Sequence, residues 1–352
     1  MLGQAFKYSY INAKVRTIYS KRLRKRDWAI LRDAADKNSF VQYLSTTYYG
    51  AYLAEILKGP EKGLHFLERQ IYRALFADYE KVIRALKPPE GQVFYGLFSR
   101  FEAENLKTLI RAKKTGLPKR EVLHLLYPVE TLSKINWHRL WKAGSLAEAI
   151  DLLSDTPFGT SVAHALPQFE AHSRLFPIEM AMEIVSYKQI WEVVSALSSK
   201  KDKQMARMLI GGLVDALNIY HVARLRFIYA LSTEETLNFT YPGGYILNLK
   251  RLHDISRATD MKSLVSYLPK PLKAILEGTD SLSQMRMVLQ DWLLKRIKGV
   301  FLTLPFHLGV EIAWVIYREM EIEAILRIFE TKGRKVKAGQ VRLVPETLIQ
   351  EE

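Results

Sequence analysis

Apolar residues recur at intervals of three and four along almost the whole chain, which is the spacing that places them on one face of an α-helix. The run Leu64, Leu67, Ile71 and Leu75 is a clear example. Strict alternation of apolar and polar residues, which would indicate a half-buried strand, is scarce. The pattern therefore predicts an all-α protein with about a dozen or more helices joined by short connections.

Glycine and proline interrupt this pattern and mark the predicted helix ends, because both residues terminate helices or form turns. The interruptions lie at residues 59–60, 87–91, 116–118, 242–244 and 269–271. One apolar stretch, residues 299–317, approaches the length of a membrane span. It contains Pro305, His307 and Glu311, and a carboxylate near the centre of a bilayer is costly. We therefore predict a buried core helix with a proline break there.

One short helical unit occurs three times, at residues 28–49, 137–158 and near 252–268. Its matching positions are Leu31, Leu140 and Ile255, then Ala34, Ala143 and Ala258, then Phe40, Ala149 and Leu264, then Leu44, Leu153 and Leu268. The first two copies also end alike, in LSTTYYG and LSDTPFG, whereas the third ends in LPKPLKA. The matching threonines and glycines predict the same capped helix stop in the first two copies.

A second, longer helical unit carries a repeated polar set. Its acid, asparagine and arginine are Glu102, Asn105 and Arg111 in one copy and Asp215, Asn218 and Arg224 in the next. The segment AKVRTIYS from Ala13 matches ARLRFIYA from Ala223, and residues 311–327 form a looser copy. Catalytic sites are normally single, so we interpret the recurring set as a polar network that locks helices together.

The two units alternate along the chain with a period of roughly one hundred residues, which is too long for a tetratricopeptide or HEAT array. The repeat predicts three similar helical lobes, residues 1–96, 97–208 and 209–352, the last with a closing C-terminal helix. We expect the lobes to surround a pseudo-threefold axis.

Composition and motifs exclude several classes of function. The 352 residues include no cysteine, which excludes structural disulfides, zinc fingers, iron-sulfur clusters and thiol nucleophiles. No phosphate-cradling loop, metalloprotease motif or hydrolase motif is present. No two of the 8 histidines are helical i, i+4 partners, so we predict no metal-binding residue. Because the enzyme motifs are missing as well, we predict no catalytic or cofactor-binding residue. The first residues lack the pattern of a secretory signal, and a cytoplasmic location is expected.

Positive charge favours an acidic partner, since Lys and Arg total 52 against 37 Asp and Glu, a net charge of +15. Nucleic acid, anionic lipid and acidic protein all qualify. The excess is concentrated before the first acidic residue, at Lys7, Lys14, Arg16, Lys21, Arg22, Arg24, Lys25 and Arg26. Such a block is also common on a solvated helix face or turn, which is the simpler explanation.

Seven segments occur in a recognisable order. They are YINAKVRTIYSKRL from Tyr10, LSTTYYG, FEAENLKTLIRAKKTGLP from Phe101, LSDTPFG, ALNIYHVARLRF from Ala216, YPGG from Tyr241, and YREMEIEAILRIFETKGR from Tyr317. In their order and spacing, the chain resembles the family of the C subunits of bacterial and archaeal V/A-type rotary ATPases, whose eukaryotic counterpart is the d subunit. The resemblance covers nearly the whole chain.

This resemblance implies a funnel of three helical lobes on the cytoplasmic face of the membrane-embedded proteolipid ring. The cavity of the funnel would receive the foot of the central stalk, so that torque passes between ATP hydrolysis or synthesis and ion movement. It also implies one copy per complex, central-stalk and proteolipid partners, a peripheral position on the membrane, and no active site. Anionic lipid headgroups are a further expected contact.

Two groups of basic residues are the candidates for partner binding. Arg111 and Arg224 recur in matching places and are expected to face the stalk. The candidates for the surface that faces the membrane or another partner are Lys21, Arg22, Arg24, Lys25 and Arg26. The alternative function is a basic all-helical nucleic-acid-binding protein, with Tyr48, Tyr49 and Tyr52 as base-stacking residues. This alternative explains the net positive charge better than the rotary ATPase interpretation does, but it explains the internal repeat less well. Under the rotary ATPase interpretation, no nucleic acid partner is expected.

Overall fold

The computed structural model of the chain describes residues 2–59, 63–172, 174–303, 306–332 and 344–349, and every regular element in these residues is a helix. The prediction of an all-α protein is confirmed. The helices are α1 Leu2–Tyr19, α2 Lys25–Asp33, α3 Lys37–Leu44, α4 Gly50–Lys58, α5 Leu64–Ala85, α6 Glu90–Thr115, α7 Lys119–Leu123, α8 Trp137–Lys142, α9 Leu146–Asp151, α10 Pro157–His172, α11 Phe176–Ala196, α12 Lys200–Phe227, α13 Thr233–Asn238, α14 Leu249–Ser256, α15 Met261–Tyr267, α16 Lys270–Leu276, α17 Leu282–Phe301, α18 Gly309–Thr331 and α19 Glu346–Ile349.

Each copy of the short unit is a pair of helices, and the second helix of each pair starts at a side-chain cap. The pairs are α2 with α3, α8 with α9, and α14 with α15. The caps are Asp36, Ser145 and Asp260, each two residues after one of the matching alanines. Their side-chain oxygens accept the backbone N–H three residues later at 2.8, 3.1 and 2.7 Å, which satisfies a donor that the helix leaves unbonded.

The predicted helix stop is also confirmed in the first two copies. Thr47 and Thr156 each donate their hydroxyl to the carbonyl oxygen three residues earlier, both at 2.6 Å. At the matching glycines, Gly50 and Gly159, a Cβ atom would lie only 2.1 and 2.4 Å from a backbone carbonyl oxygen. Only glycine leaves room for the next helix to start so close to the previous turn.

The chain forms two compact units. One contains Met1–Leu67 together with Ser198–Glu352, and the other contains Glu68–Leu197. In the second unit, α6 packs along α11, and Leu106, Ile110, Leu140, Leu153 and Met182 are among its buried core residues. In the first unit, α12 packs against α14, α17 and α18, and its core includes Ile219, Val222, Ile255, Leu264 and Leu289. The division at residues 1–96, 97–208 and 209–352 stays a prediction.

A long helix ends beside each pair of short helices and is joined to it by the same kind of hydrogen bond. The donor is a basic side chain near the end of α6, near the end of α12, or just after α18. The acceptor is a carbonyl oxygen that lies between the two short helices in the first two cases and at the end of α2 in the third. The three donors and acceptors are Lys113 with Ala143, Arg226 with Ala258, and Lys332 with Arg32. The rings of Phe329 and Phe40, 5.4 Å apart, add an apolar contact between α18 and α3. Thus α18 packs on α2 and α3 as α6 packs near α8 and α9.

The apolar stretch at residues 299–317 is divided between two helices. α17 ends at Phe301, and α18 begins at Gly309 with Glu311 fully buried in its first turn. The predicted break at Pro305 lies outside the described residues. Among the described helices, none is long and apolar enough to cross a membrane.

Candidate partner-binding site

Two asparagines on the long helices hold the chain that follows each helix. The side chain of Asn105 accepts the N–H of Tyr127 at 2.8 Å and donates to its carbonyl oxygen at 2.9 Å. Asn218 makes the same two bonds with Tyr241, at 2.8 and 2.9 Å. Both asparagines are buried, so these bonds replace water that the amide and the backbone have lost. The repeated asparagine has the structural role that the sequence suggested, but each one holds a connecting segment and does not join two helices.

The matching acids act one turn earlier on the same helices. Glu102 accepts the hydroxyl of Ser133 at 2.5 Å, and burial raises the pKa of Glu102 to about 7. Asp215 accepts the N–H groups of Ile246 and Leu247 at 2.7 and 2.9 Å. Burial raises the pKa of Asp215 to about 6, although these hydrogen bonds favour its ionised form. Each acid therefore anchors a connecting segment to its helix.

In α18, the corresponding lock is a buried carboxylate. Glu321 accepts the backbone N–H of Leu23 at 2.8 Å and the hydroxyl of Tyr49 at 2.6 Å. Arg318, also fully buried, donates to Glu321 at 2.5 Å and lies 4.3 Å from the ring centroids of Tyr48 and Trp314. Sequence reasoning missed this network. The signal that could have found it is the looser repeat, because Glu321 precedes an arginine by the same interval as Asn105 and Asn218 do.

The basic residues 21–26 lie on a segment whose backbone is fixed at both sides. Leu23 is bonded to Glu321, and the backbone N–H of Arg24 donates to the carboxylate of Asp27 at 2.7 Å. The Arg22 guanidinium lies 4.3 Å from the ring centroid of Tyr19. The remaining basic side chains of the segment are exposed, and they are Lys21, Arg24, Lys25 and Arg26. This arrangement presents a cationic surface on a rigid backbone.

Arg111 and Arg224 occupy matching sequence positions but differ in their contacts. Arg111 makes two bonds of 2.6 and 2.7 Å with the carboxylate of Glu179, which joins α6 to α11 and neutralises much of its charge. Arg224 instead lies near the rings of Tyr220 and Tyr229 and donates to the Tyr229 hydroxyl at 3.3 Å. Tyr229 and its neighbour Ile228 are exposed by 53% and 60%. Arg224 therefore belongs to a cationic and aromatic surface, whereas Arg111 forms a helix-to-helix ion pair.

Two buried acidic side chains hold α1 in the first unit. The hydroxyl of Tyr8 donates to Asp202 at 2.7 Å, and the amide of Asn12 donates to Glu311 at 2.8 Å. Arg16 also donates to the carbonyl oxygen of Phe301 at 3.0 Å. The described residues contain no group of three or more side chains that could hold a metal ion.

The sequence matches the model of the ATP synthase (C/AC39) subunit family over residues 11–342. The chain belongs to this family. Two of its relatives are C subunits of A-type ATP synthases. The one from Methanocaldococcus jannaschii is 24% identical and spans 95% of this chain and 85% of its own length. The one from Methanothermobacter thermautotrophicus is also 24% identical, and the match spans 93% of this chain and 84% of the relative's own length.

Membership of the ATP synthase (C/AC39) subunit family agrees with the resemblance found in the sequence. A relative from Pyrococcus abyssi, again the C subunit of an A-type ATP synthase, is 20% identical over 94% of this chain and 89% of its own length. The chain is therefore a non-catalytic subunit of a rotary ATPase and has partners within that complex.

Proposed function

We propose that this protein couples the central stalk of the rotary ATPase to the membrane proteolipid ring, in one copy per complex. The observation that carries the proposal is the threefold recurrence of one device. In each case, a buried polar side chain on a long helix holds the segment that leads to two short helices. A protein built from repeated rigid parts resists twisting, which torque transmission requires.

The proposed arrangement is three lobes, residues 1–96, 97–208 and 209–352, around a pseudo-threefold axis, with a funnel whose cavity receives the foot of the stalk. The recurrence of side-chain caps at Asp36, Ser145 and Asp260 supports it, because the three copies share local geometry as well as sequence. A peripheral position on the cytoplasmic face of the membrane follows from the same proposal.

Partner contacts are proposed at two surfaces. Arg224, with exposed Tyr229 and Ile228 beside it, suits a protein partner, since arginine and aromatic residues are enriched where proteins bind each other. The basic segment at residues 21–26 suits an acidic partner or anionic lipid headgroups. Arg111 is kept as a candidate of lower rank, because Glu179 already satisfies its guanidinium.

The alternative, a nucleic-acid-binding protein, rests on net charge and on Tyr48, Tyr49 and Tyr52. Tyr49 is fully buried and bonded to Glu321, and Tyr48 lies against Arg318. A stacking residue must present its ring face to a base. Tyr48 and Tyr49 are engaged with the protein interior instead, which favours the coupling function.

Affinity capture tests the proposal. The tagged full chain is purified from mild-detergent extracts of its own cells, with and without nuclease, and the accompanying proteins are identified. We expect central-stalk and proteolipid subunits in both samples. Recovery of nucleoprotein alone, lost after nuclease treatment, would establish the alternative instead.

A charge reversal at Arg224 tests whether this residue belongs to the surface that binds the stalk. Arg224→Glu is expected to reduce recovery of stalk subunits while leaving the fold intact. Arg257→Glu is the matched control, because Arg257 is an exposed arginine of the same unit at the end of α14. Equal recovery with both variants would remove Arg224 from the proposed surface.

A further inference from the structure

A small pocket lies beside the start of α12, in the first unit. Its cavity of about 300 Å³ is lined by Lys200, Lys203, Gln204, Arg207 and Tyr245. Three of these five residues are cations, spaced three and four residues apart on one face of the helix. Within the described part of the chain, no negatively charged side chain lines the cavity.

None of the three cations takes part in a salt bridge among the described residues. The acid within the same turn, Asp202, is fully buried and accepts from Tyr8 and from the backbone N–H of Leu308. Like charges at this spacing repel one another, and Lys200 stands at the first residue of the helix, where the helix dipole is also positive. Lys200 and Arg207 are exposed and Lys203 is half-buried, so water screens part of this repulsion. An anion bound among the three cations would remove the rest.

The wall opposite these cations is fixed to the same helix. Tyr245 donates its backbone N–H to the carbonyl oxygen of Gly211 at 3.2 Å, and a Cβ atom at Gly211 would lie 2.9 Å from that nitrogen. The two following residues, Ile246 and Leu247, donate their N–H groups to Asp215. The loop that carries Tyr245 is therefore held against α12 before any ligand arrives.

A fourth cation lies near the ring of Tyr245. The guanidinium of Arg296, on α17, lies 5.6 Å from the centroid of that ring and 4.0 Å from the ring centroid of Trp292. Stacking on two aromatic faces orients the guanidinium and restrains the Tyr245 ring. The aromatic wall of the pocket is thus fixed before a ligand binds, and the residues that line the pocket are distinct from the basic segment at residues 21–26.

We infer that this pocket binds a phosphate group, carried either by a soluble phosphate compound or by a phospholipid headgroup. A phosphate ester concentrates close to two negative charges on one small group with several acceptor oxygens. Lysine and arginine donate charge-assisted hydrogen bonds to such oxygens. The side chains of Gln204 and Tyr245, which also line the pocket, each carry a further donor group. A peptide carboxylate carries one charge and matches three clustered cations less well. The inference does not depend on the coupling function.

Isothermal titration of the purified full chain with inorganic pyrophosphate tests the inference. The variant Lys200→Gln/Lys203→Gln/Arg207→Gln should bind at least about tenfold more weakly than the parent chain. The control variant Lys250→Gln/Lys270→Gln/Lys273→Gln removes the same charge from exposed lysines of the same unit and should bind as the parent does. Loss of like-charge repulsion should leave the thermal unfolding temperature of the pocket variant unchanged or higher.

The single variant Arg207→Gln provides a second reading if the triple variant does not fold, and it should weaken binding by about threefold. No pyrophosphate binding by the parent, or equal weakening in the control variant, would overturn the inference. Binding of an acidic peptide at the same residues without binding of pyrophosphate would overturn it as well.

Vesicle flotation distinguishes the two sources of phosphate. Vesicles of phosphatidylcholine with phosphatidic acid are compared with vesicles of phosphatidylcholine alone. Binding to the phosphatidic acid vesicles that pyrophosphate displaces and that the pocket variant loses identifies a headgroup as the ligand. Pyrophosphate binding without vesicle binding identifies a soluble phosphate compound. Affinity capture of stalk subunits is independent of both results, so failure of one proposal leaves the other standing.

Discussion

Glu311 is buried in the first unit, and its protonation should affect the free energy of unfolding. One carboxylate oxygen accepts the amide of Asn12, and the other has no hydrogen-bond partner among the described residues. Burial, together with the nearby charge of Asp202, raises the pKa of Glu311 to about 8, although a hydrogen bond from its own backbone and the charge of Arg16 oppose this rise. The carboxyl group is therefore protonated in the folded chain at neutral pH. Its contact with α1 is a hydrogen bond between neutral groups.

The free energy of unfolding should fall as the pH rises from about 4.5 to about 8. Over this window the unfolded chain has lost the Glu311 proton while the folded chain still keeps it, so raising the pH favours unfolding. One pKa unit corresponds to about 1.4 kcal/mol, and the fall from this residue amounts to a few kcal/mol. Glu311→Gln should flatten this dependence, as measured by urea unfolding at a series of pH values.

Exposed Glu234→Gln is the matched control for that experiment, because it removes a carboxyl group of the same unit without burial. It should reproduce the parent pH dependence. An unchanged slope in Glu311→Gln would show that other groups, such as Glu102 with its pKa raised to about 7, account for the dependence.

The two hydrogen bonds between Asn218 and the Tyr241 backbone should make a measurable contribution to the free energy of unfolding. Asn218→Ala removes both bonds to the Tyr241 backbone and leaves a buried N–H and carbonyl oxygen unsatisfied. Loss of buried hydrogen-bond partners costs about 1–3 kcal/mol each. Denaturant unfolding should show this loss, whereas Asn248→Ala, at an exposed helix cap, should cost about 1 kcal/mol. Equal losses in the two variants would contradict the assigned role.

At the scale of helices, the same local devices recur in each copy of the short unit. The caps at Asp36, Ser145 and Asp260 and the stops at Thr47 and Thr156 lie within a few residues of the groups they satisfy. Such short-range bonds fix where helices begin and end. They do not determine which long helix packs on which pair.

Gly159 lies at a helix start that has no room for a side chain. A Cβ atom would lie 2.4 Å from the carbonyl oxygen of Leu153 and 2.7 Å from the Cα of Ser154, both in the backbone. Gly159→Ala should destabilise the chain by about 2 kcal/mol or more, as measured by thermal or denaturant unfolding. In the same unit, Gly144→Ala should be near neutral, because its Cβ would meet only the flexible Glu148 side chain at 3.4 Å.

At the scale of the whole molecule, the net charge of +15 should make assembly sensitive to salt. Three of the exposed residues of the basic segment, Lys21, Lys25 and Arg26, are the proposed contributors. Its charge is carried on a backbone that Glu321 fixes through Leu23, so the backbone of the segment need not be ordered on binding.

Lys21→Glu/Lys25→Glu/Arg26→Glu should weaken binding to the acidic surface and reduce the dependence of log affinity on log salt. The measurement is titration against the isolated partner sector at several salt concentrations. The control is Lys250→Glu/Lys270→Glu/Lys273→Glu, which makes the same charge change at other exposed lysines. If both variants lose affinity equally, net charge and not this segment determines binding.

Much of the fold could be predicted because its signals are local. Apolar periodicity predicted the all-α class, and the repeated threonines and glycines predicted a common helix stop. The acid and asparagine pairs on α6 and α12 were correctly given a structural role, since each is repeated in sequence. Glu321 was missed because its lock uses a different residue type from Asn105 and Asn218.

The candidate sites were less predictable, because the sequence does not say which charges find partners. Arg111 and Arg224 match in sequence, yet Arg111 is paired with the carboxylate of Glu179, 68 residues further along the chain, whereas Arg224 lies near two tyrosine rings. The three cations of the pocket follow helical spacing, but Tyr245 joins them only through the loop that Asp215 and Gly211 hold.

The sequence alone determined the helical class, the repeat, the caps and stops, and the family, because each depends on residues a few positions apart or on their order. Tertiary structure decided that α18 packs on α2 and α3, through a bond between Glu321 and Leu23 that spans 298 residues. It also decided which charges are buried, paired or left facing a cavity. These outcomes depend on desolvation and on contacts between distant segments, which no local pattern specifies.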